Sequence, residues 1–121
     1  MKIPGPDHPI TIEPHPGRLR VTRDGVTIAE TSRALVLREA AYPAVFYVPR
    51  QDADMGRLLA TTRSSHCPYK GDACYFSIAS GTSVAENAVW SYADPYPAMA
   101  RIAGHLAFYP DRVDAIEEGA A

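Results

Sequence analysis

The stretch LRVTRDGVTIA, residues 19–29, predicts a β-hairpin. Apolar and polar side chains alternate in its first half, as they do along a strand with one buried face. The Asp24-Gly25 pair that follows accommodates the positive φ values of a type I′ turn, whose twist matches that of paired strands. A second run of strand-forming residues begins at Val26. The stretch therefore indicates an antiparallel β protein.

Patterns outside this hairpin predict a mainly β fold. Further strands are expected at residues 34–37, 44–48, 73–79, 88–92 and 106–109, and around Val113. Two short helices are expected, one over residues 52–59 with Asp52 near its N-cap, and one after Asp94-Pro95. The fold class is therefore mainly β, with two antiparallel sheets and two short helices.

The two ends of the chain differ in composition from the centre. Five of the 11 prolines fall in the first 16 residues, where they fix φ and remove N–H groups, so residues 1–17 are expected to form an extended arm. Residues 18–116 are expected to form a single β domain, because a chain of 121 residues supplies one core. Residues 117–121 are expected to be a disordered tail.

Charge and composition exclude several classes of function. The net charge is −2, and the basic residues form no run that would follow a phosphate backbone, so nucleic-acid binding is disfavoured. No apolar run approaches the roughly 20 residues of a membrane span, and no signal peptide is apparent. Cys67 and Cys74 are expected to be free thiols. These features predict a cytoplasmic protein that does not bind membranes.

The densest cluster of reactive groups is HCPYKGD, residues 66–72, in a predicted loop. Its candidate catalytic residues are Lys70, which could hold an anion, His66, which could transfer protons, and Cys67, which could act as a nucleophile. The alternative is that residues 66–72 form only a tight turn without a catalytic role. That alternative is favoured for Cys67, because adjacent side chains point apart in an extended chain. For Lys70 both interpretations stay open.

Aromatic and basic residues on the predicted strands supply a ligand-binding set. Trp90 and Tyr92 alternate to the same face of their strand. Core packing is the alternative for Trp90, whereas Tyr92 also offers a hydroxyl that could orient a ligand. The candidate ligand-binding residues are Tyr47, Arg50, Tyr75, Trp90 and Tyr92.

Several strong motifs are missing from the sequence. It contains no Walker loop, no GxGxxG and no GxSxG. It also has no CxxC pair, and two of its histidines, His8 and His15, lie in the predicted arm. Neither a metal site nor a cofactor is therefore predicted.

Four segments, in their order along the chain, resemble those of the domain of unknown function 427 family. They are ALVLRE at 34–39, VFYVPR at 45–50, CPYKG at 67–71 and WSY at 90–92. The resemblance extends from Arg18 to Val113. It implies a β-tent, in which two sheets meet as in methionine sulfoxide reductase B, Mss4-like and cereblon ligand-binding domains.

The family resemblance supplies no substrate. Many proteins of this fold hold zinc through paired CxxC motifs, which this sequence lacks. The family is catalogued with a nucleotidyl-transferase-like label, but the sequence has no Gly-Ser motif followed by the paired metal-binding carboxylates that phosphate transfer requires.

The predicted function is to bind or act on a small anionic or carbonyl-bearing molecule in a pocket formed by the Lys70 loop and the Trp90 strand. Whether the chain is an enzyme is left open. One alternative is a non-catalytic interaction or homodimerisation module. A weaker alternative is thiol redox chemistry at Cys67, with Cys74 as the resolving thiol, or nucleotidyl transfer.

Overall fold

The structure, a computed structural model, describes residues 1–120, which are mainly β as predicted. The strands are β1 (Ile10–Pro14), β2 (Arg18–Arg23), β3 (Val26–Thr31), β4 (Leu35–Glu39), β5 (Val45–Tyr47), β6 (Leu58–Cys67), β7 (Gly71–Ser80), β8 (Ser83–Ser91), β9 (Leu106–Phe108) and β10 (Ala115–Gly119). Every pairing between these strands is antiparallel.

Within the described residues the strands form three hydrogen-bonded sheets, where the sequence predicts two. Their strand orders are β1-β4-β5, β10-β2-β3 and β6-β7-β8-β9. The first and third sheets are joined where Val48, just after β5, forms a bridge with Leu106 of β9. The tent-like meeting of two sheets stays a prediction.

The hairpin at residues 19–29 forms as expected. Arg23 of β2 pairs with Val26 of β3, which leaves a two-residue turn. Asp24 has φ 53° and Gly25 has φ 71°, the positive values that a type I′ turn requires. The Gly25 amide also donates a hydrogen bond of 2.9 Å to the carboxylate of Asp114, so the turn is tied to the segment before β10.

Both ends of the chain contain strands: β1 lies within the predicted extended arm, and β10 includes residues 117–119 of the predicted tail. β1 lies inside the proline-rich segment and pairs with β4, because a strand at the edge of a sheet tolerates proline. β10 pairs with β2, and its Ile116 packs against the core, which explains why residues 117–119 are ordered in the sheet. Position 121 of the predicted tail lies outside the described residues.

The predicted helix over residues 52–59 does not form. Two single 3₁₀ turns, Arg50–Asp52 and Met55–Arg57, are followed directly by β6, because Leu58 is buried opposite Ile78 of β7. Asp52 is not an N-cap. Its carboxylate accepts a 2.7 Å hydrogen bond from the Thr31 hydroxyl and pairs with Arg33 instead.

The second predicted helix is also a 3₁₀ segment, Pro97–Ile102, interrupted by non-helical backbone at Met99. Its Met99 and Ile102 side chains are buried. In residues 1–120 we find no helix of the length and apolar character needed to cross a membrane.

The buried side chains form two clusters. The larger one packs around Leu19, Ile28, Ile78 and Val89 and joins the β10-β2-β3 sheet to the four-stranded sheet. The smaller one is rich in aromatic and polar-tipped residues and lies between β4-β5 and the four-stranded sheet. Its members include Leu37, Tyr47, Tyr75, Tyr92, Met99 and Ile102. The smaller cluster adjoins the candidate site.

The conformation of the hairpin turn can be tested by substitution. Gly25→Ala should lower the free energy of unfolding by about 1 kcal/mol, because alanine is strained at positive φ. A Cβ at Gly25 would meet nothing within 4 Å, so only the backbone is affected. Gly5→Ala is the matched control, since that site is equally open and its φ is not in the left-handed region. Equal urea midpoints for the two variants would contradict the turn assignment.

Candidate functional site

A cavity of about 220 Å³ lies between β4-β5 and the four-stranded sheet. We call it the polar cavity. Five predicted site residues line it: Tyr47, Lys70, Tyr75, Trp90 and Tyr92. The sequence-based prediction did not include the other four lining residues, which are Leu37, Glu39, Val45 and Tyr109. The Lys70 turn and the Trp90 strand therefore face one hollow.

Strand periodicity explains why these residues meet. Leu37 and Glu39 are two residues apart at the end of β4, so they share a face. The same period aligns Val45 with Tyr47 on β5. Trp90 and Tyr92 repeat the pattern where β8 ends, as the sequence predicts. Strands β4, β5 and β8 thus direct side chains into the same space.

Lys70 reaches the polar cavity from the tight turn between β6 and β7. This turn replaces the longer loop that the sequence predicts, since Cys67 already pairs with Gly71. The backbone N–H of Tyr96 donates a 3.0 Å hydrogen bond to the Lys70 carbonyl and holds the turn in place. Gly71 has φ 109°, a conformation that other residues rarely adopt. The turn thereby directs Lys70 inward, where its side chain is only 8% exposed.

Glu39 neutralises this buried ammonium. Lys70 Nζ donates to Glu39 Oε1 at 2.5 Å, and His8 Nε2 donates to Glu39 Oε2 at 2.7 Å. The His8 ring also stacks on Tyr69 at a centroid distance of 4.2 Å. Burial raises the pKa of Glu39, but the hydrogen bonds and charges of Lys70 and His8 outweigh it, so the net pKa lies below its ordinary value. Each carboxylate oxygen therefore accepts one hydrogen bond.

Sequence reasoning missed Glu39 and His8. Glu39 closes the ALVLRE segment, and its two-residue spacing from Leu37 was the available signal for an inward carboxylate. His8 gave no comparable signal. It contacts the site only because β1 pairs with β4 and brings the preceding chain alongside Glu39.

The tyrosines of the polar cavity differ in their proton affinity. Burial raises the pKa of Tyr47 and of Tyr92, so both hydroxyls keep their protons at neutral pH. Trp90 Nε1 donates to Tyr47 Oη at 3.3 Å, which leaves the Tyr47 proton free to be donated elsewhere. No hydrogen-bond partner of the Tyr92 hydroxyl is found among residues 1–120. Two phenol protons therefore remain available inside the cavity.

Tyr75 has the opposite shift. Burial raises its pKa, but hydrogen bonds with Ser65, Tyr109 and Arg63 outweigh this effect and lower the net value. The Ser65 and Tyr75 hydroxyl oxygens are 2.8 Å apart, and the Arg63 guanidinium lies 4.9 Å from the Tyr75 ring centroid. The pKa of Tyr109 is raised by burial and by Tyr75. Tyr75 therefore releases its proton more readily than Tyr47 or Tyr92.

Three predicted site residues, His66, Arg50 and Cys67, do not line the polar cavity. His66 points to the outer face of β6, where it donates a 2.8 Å hydrogen bond to Asp72 and its side chain is 56% exposed. The strand period turns it away from Cys67, as expected for neighbours in an extended chain. Arg50 begins the 3₁₀ turn beyond β5, and its guanidinium lies 5.5 Å from the Phe76 ring centroid.

Cys67 and Cys74 are free thiols and lie apart. Cys67 Sγ is 3.8 Å from Lys70 Nζ, next to the polar cavity. Cys74 is exposed on the other face of β7 and pairs with Ser64, three residues from Cys67 along β6. Three strand residues span about 10 Å, whereas a disulfide needs Cα atoms within about 7 Å. The geometry therefore argues against Cys74 as a resolving thiol for Cys67.

The polar cavity is rich in hydrogen-bond donors. An ammonium has three N–H groups, and those of Lys70 have Glu39 and Cys67 as their neighbours. The Tyr47 and Tyr92 hydroxyls add two further donors. Across the described part of the chain, no group of three or more His, Cys, Asp or Glu side chains is arranged to hold a metal ion. The chemistry that fits this arrangement is recognition of an acceptor oxygen.

The ion pair can be tested by breaking it from one side only. Glu39→Gln should lower the free energy of unfolding by about 3 kcal/mol, because it leaves a buried ammonium without a counter-charge. Adding Lys70→Met should recover part of this loss, since the double variant buries no charge. Urea unfolding of both variants measures the difference. A double variant less stable than Glu39→Gln would show that the pair does not depend on charge compensation.

The lowered pKa of Glu39 predicts a pH dependence. A carboxylate whose pKa falls on folding stabilises the protein above its unfolded pKa, near 4.5, and loses this contribution as the pH falls below that value. The stability difference between the native chain and Glu39→Gln should therefore shrink below pH 4.5. Glu13→Gln, at an exposed site on β1, is the control and should show little pH dependence. A constant difference for Glu39→Gln would contradict the assignment.

Comparison with known proteins identifies the family of the chain. No curated protein matches it. A family model, labelled NTP_transf_9 and described as a domain of unknown function (DUF427), matches residues 11–119, from β1 to the end of β10. Because the match spans most of the sequence, the chain belongs to the DUF427 family.

Proposed function

We propose that this protein binds a small anionic or carbonyl-bearing molecule in the polar cavity, with Lys70 as the anchoring cation. The observation that carries the proposal is a buried ammonium that lines a cavity beside two phenol hydroxyls with protons to donate. A buried lysine that served only to stabilise the fold would have no reason to border open space. Ligand pockets combine apolar walls with a few convergent polar groups in this way.

Charge and hydrogen bonding favour an acceptor oxygen as the recognised group. Glu39 already accepts one hydrogen bond on each oxygen, from Lys70 and His8, and its charge is balanced by the Lys70 ammonium. The remaining N–H of Lys70 and the hydroxyls of Tyr47 and Tyr92 are all donors. A carboxylate or a carbonyl group satisfies them, whereas an ammonium ligand would meet donors and a like charge.

The aromatic residues supply the walls of the site. Trp90 is held edge-on to Tyr47 and lies 4.5 Å from Tyr109 between ring centroids. Because these contacts fix the ring, Trp90 offers a rigid apolar surface to a bound molecule. Tyr75 closes the cavity with a phenol whose pKa is lowered.

Binding is better supported than catalysis through Cys67 or His66. An ammonium held by a carboxylate is a donor, not a nucleophile, so Lys70 suits recognition. His66 faces away from the cavity. Cys67 is adjacent, but redox turnover requires a resolving thiol, and Cys74 lies on the other face of the sheet. The two free thiols are consistent with a reducing compartment, and we propose a cytoplasmic location.

The proposal is tested with the tryptophan fluorescence of the protein, because Trp90 is its one tryptophan and lines the cavity. Benzoate and acetophenone should change the emission of Trp90, with calorimetry giving their affinities. Benzylammonium, of similar size but with a cationic head, should bind at least about tenfold more weakly. Lys70→Met should weaken benzoate binding roughly ten- to a hundredfold, the range for a lost hydrogen bond to a charged group.

The chain offers a matched control for this substitution. Its other lysine, Lys2, is near Tyr69 and does not line the cavity. Lys2→Met should therefore leave benzoate affinity unchanged. The proposal is wrong if benzoate and acetophenone both fail to bind, if benzylammonium binds as tightly as benzoate, or if the two lysine variants behave alike.

A further inference from the structure

A second cavity, of about 290 Å³, adjoins the polar cavity. We call it the apolar cavity. It lies between the β10-β2-β3 sheet and strands β5, β8 and β9. Aliphatic and aromatic side chains form its walls. Among the residues that line it are Leu19, Val21, Phe46, Val48, Phe108 and Ile116. Its lining contains no charged side chain within the described residues.

The two cavities share a wall. Val45 and Trp90 line both of them. The indole of Trp90 cannot swing freely, since its Nε1 bonds Tyr47 and its ring packs against Tyr109. Val45 and Trp90 are only partly buried. The two cavities therefore meet at these two side chains.

Size favours joint use of the two cavities. Pockets that bind small molecules typically have volumes of about 300–1,000 Å³. The polar cavity, at about 220 Å³, is below this range, and the apolar cavity, at about 290 Å³, is at its lower edge. Neither cavity alone encloses a molecule of ordinary ligand size, but together they fall inside the range.

We propose that the ligand is amphipathic, with an acceptor-oxygen head in the polar cavity beside Lys70 and an apolar chain in the apolar cavity across Trp90. This inference rests on the proposed function and adds the class of ligand to it. The chemistry of the walls supports it: donors converge on one side of Trp90, and the other side offers only hydrocarbon and aromatic surface. A medium-chain carboxylic acid has both parts.

The length of the apolar chain should then set the affinity. Each methylene moved from water into an apolar site contributes enough to raise affinity roughly three- to fourfold. Binding of acetate, hexanoate and decanoate, followed by Trp90 fluorescence and calorimetry below micelle-forming concentrations, should tighten in that order. Decylammonium, with the same chain and a cationic head, should bind at least about tenfold more weakly than decanoate.

A substitution at the mouth of the apolar cavity tests where the chain lies. Ala44 lines this cavity and is exposed, so Ala44→Phe should narrow the entrance without disturbing the core. It should weaken decanoate binding about tenfold and leave acetate binding unchanged. Ala41→Phe is the matched control. Ala41 is also exposed, lies in the same loop between β4 and β5, and lines neither cavity. The control should bind decanoate as the native chain does.

The outcomes separate this inference from the proposed function. Acids that bind through Lys70 with no dependence on chain length, or an Ala44→Phe variant that holds decanoate at native affinity, would overturn the amphipathic ligand alone. No binding of any acid, or acid binding unaffected by Lys70→Met, would overturn the proposed function itself. A chain-length dependence that Ala44→Phe removes, together with a loss of binding in a Lys70→Met variant whose circular dichroism spectrum is native, would support both.

Discussion

The ion pair between Lys70 and Glu39 is the interaction on which the polar cavity depends. Removing an ammonium from water is costly, and the cost is met here by a carboxylate at 2.5 Å. The pair joins the β6–β7 turn to the end of β4, two parts of the chain about 30 residues apart. Through His8 it also fixes the segment before β1. Three regions are thereby held around one charge.

The presence of a buried ion pair is weak evidence that the pair stabilises the fold. Buried ion pairs are often no more stable than apolar residues of similar volume in the same place. The smaller cluster could have been filled with hydrocarbon side chains, as the larger one is. Retaining a charge and several phenols beside open space makes sense when the site must recognise a polar group. The physical cost of the pair is thus consistent with a binding role.

The aromatic residues pack against one another and also line the two cavities. Trp90 packs between Tyr47 and Tyr109 and separates a donor-rich hollow from an apolar one. The Trp90 side chain therefore forms part of the wall of both the polar and the apolar cavity. On the donor-rich side of Trp90, the described residues place Lys70 and the Tyr47 and Tyr92 hydroxyls around one cavity. The proposed recognition of an acceptor oxygen, with an apolar extension, rests on this arrangement of the two cavities.

Local pattern was enough to predict much of this protein. The Asp24-Gly25 turn, the antiparallel strands and the shared face of Trp90 and Tyr92 all follow from backbone sterics and the two-residue period of a strand. The same period predicted that His66 and Cys67 would point apart. Lys70 was identified as a candidate because it lies in a reactive segment, although the pattern could not say whether it was buried.

Tertiary structure decided the rest, because the remaining features depend on which strands meet. The apolar spacing at residues 52–59 resembles a helix, yet pairing of Leu58 with Ile78 extends β6 instead. The chain ends looked unpaired, but β1 and β10 each find a partner strand far away in sequence. Glu39 and His8 join the site only through such pairings. The sequence by itself determined the strands and the residue types of the site, whereas long-range strand pairing decided which charges and rings share a cavity.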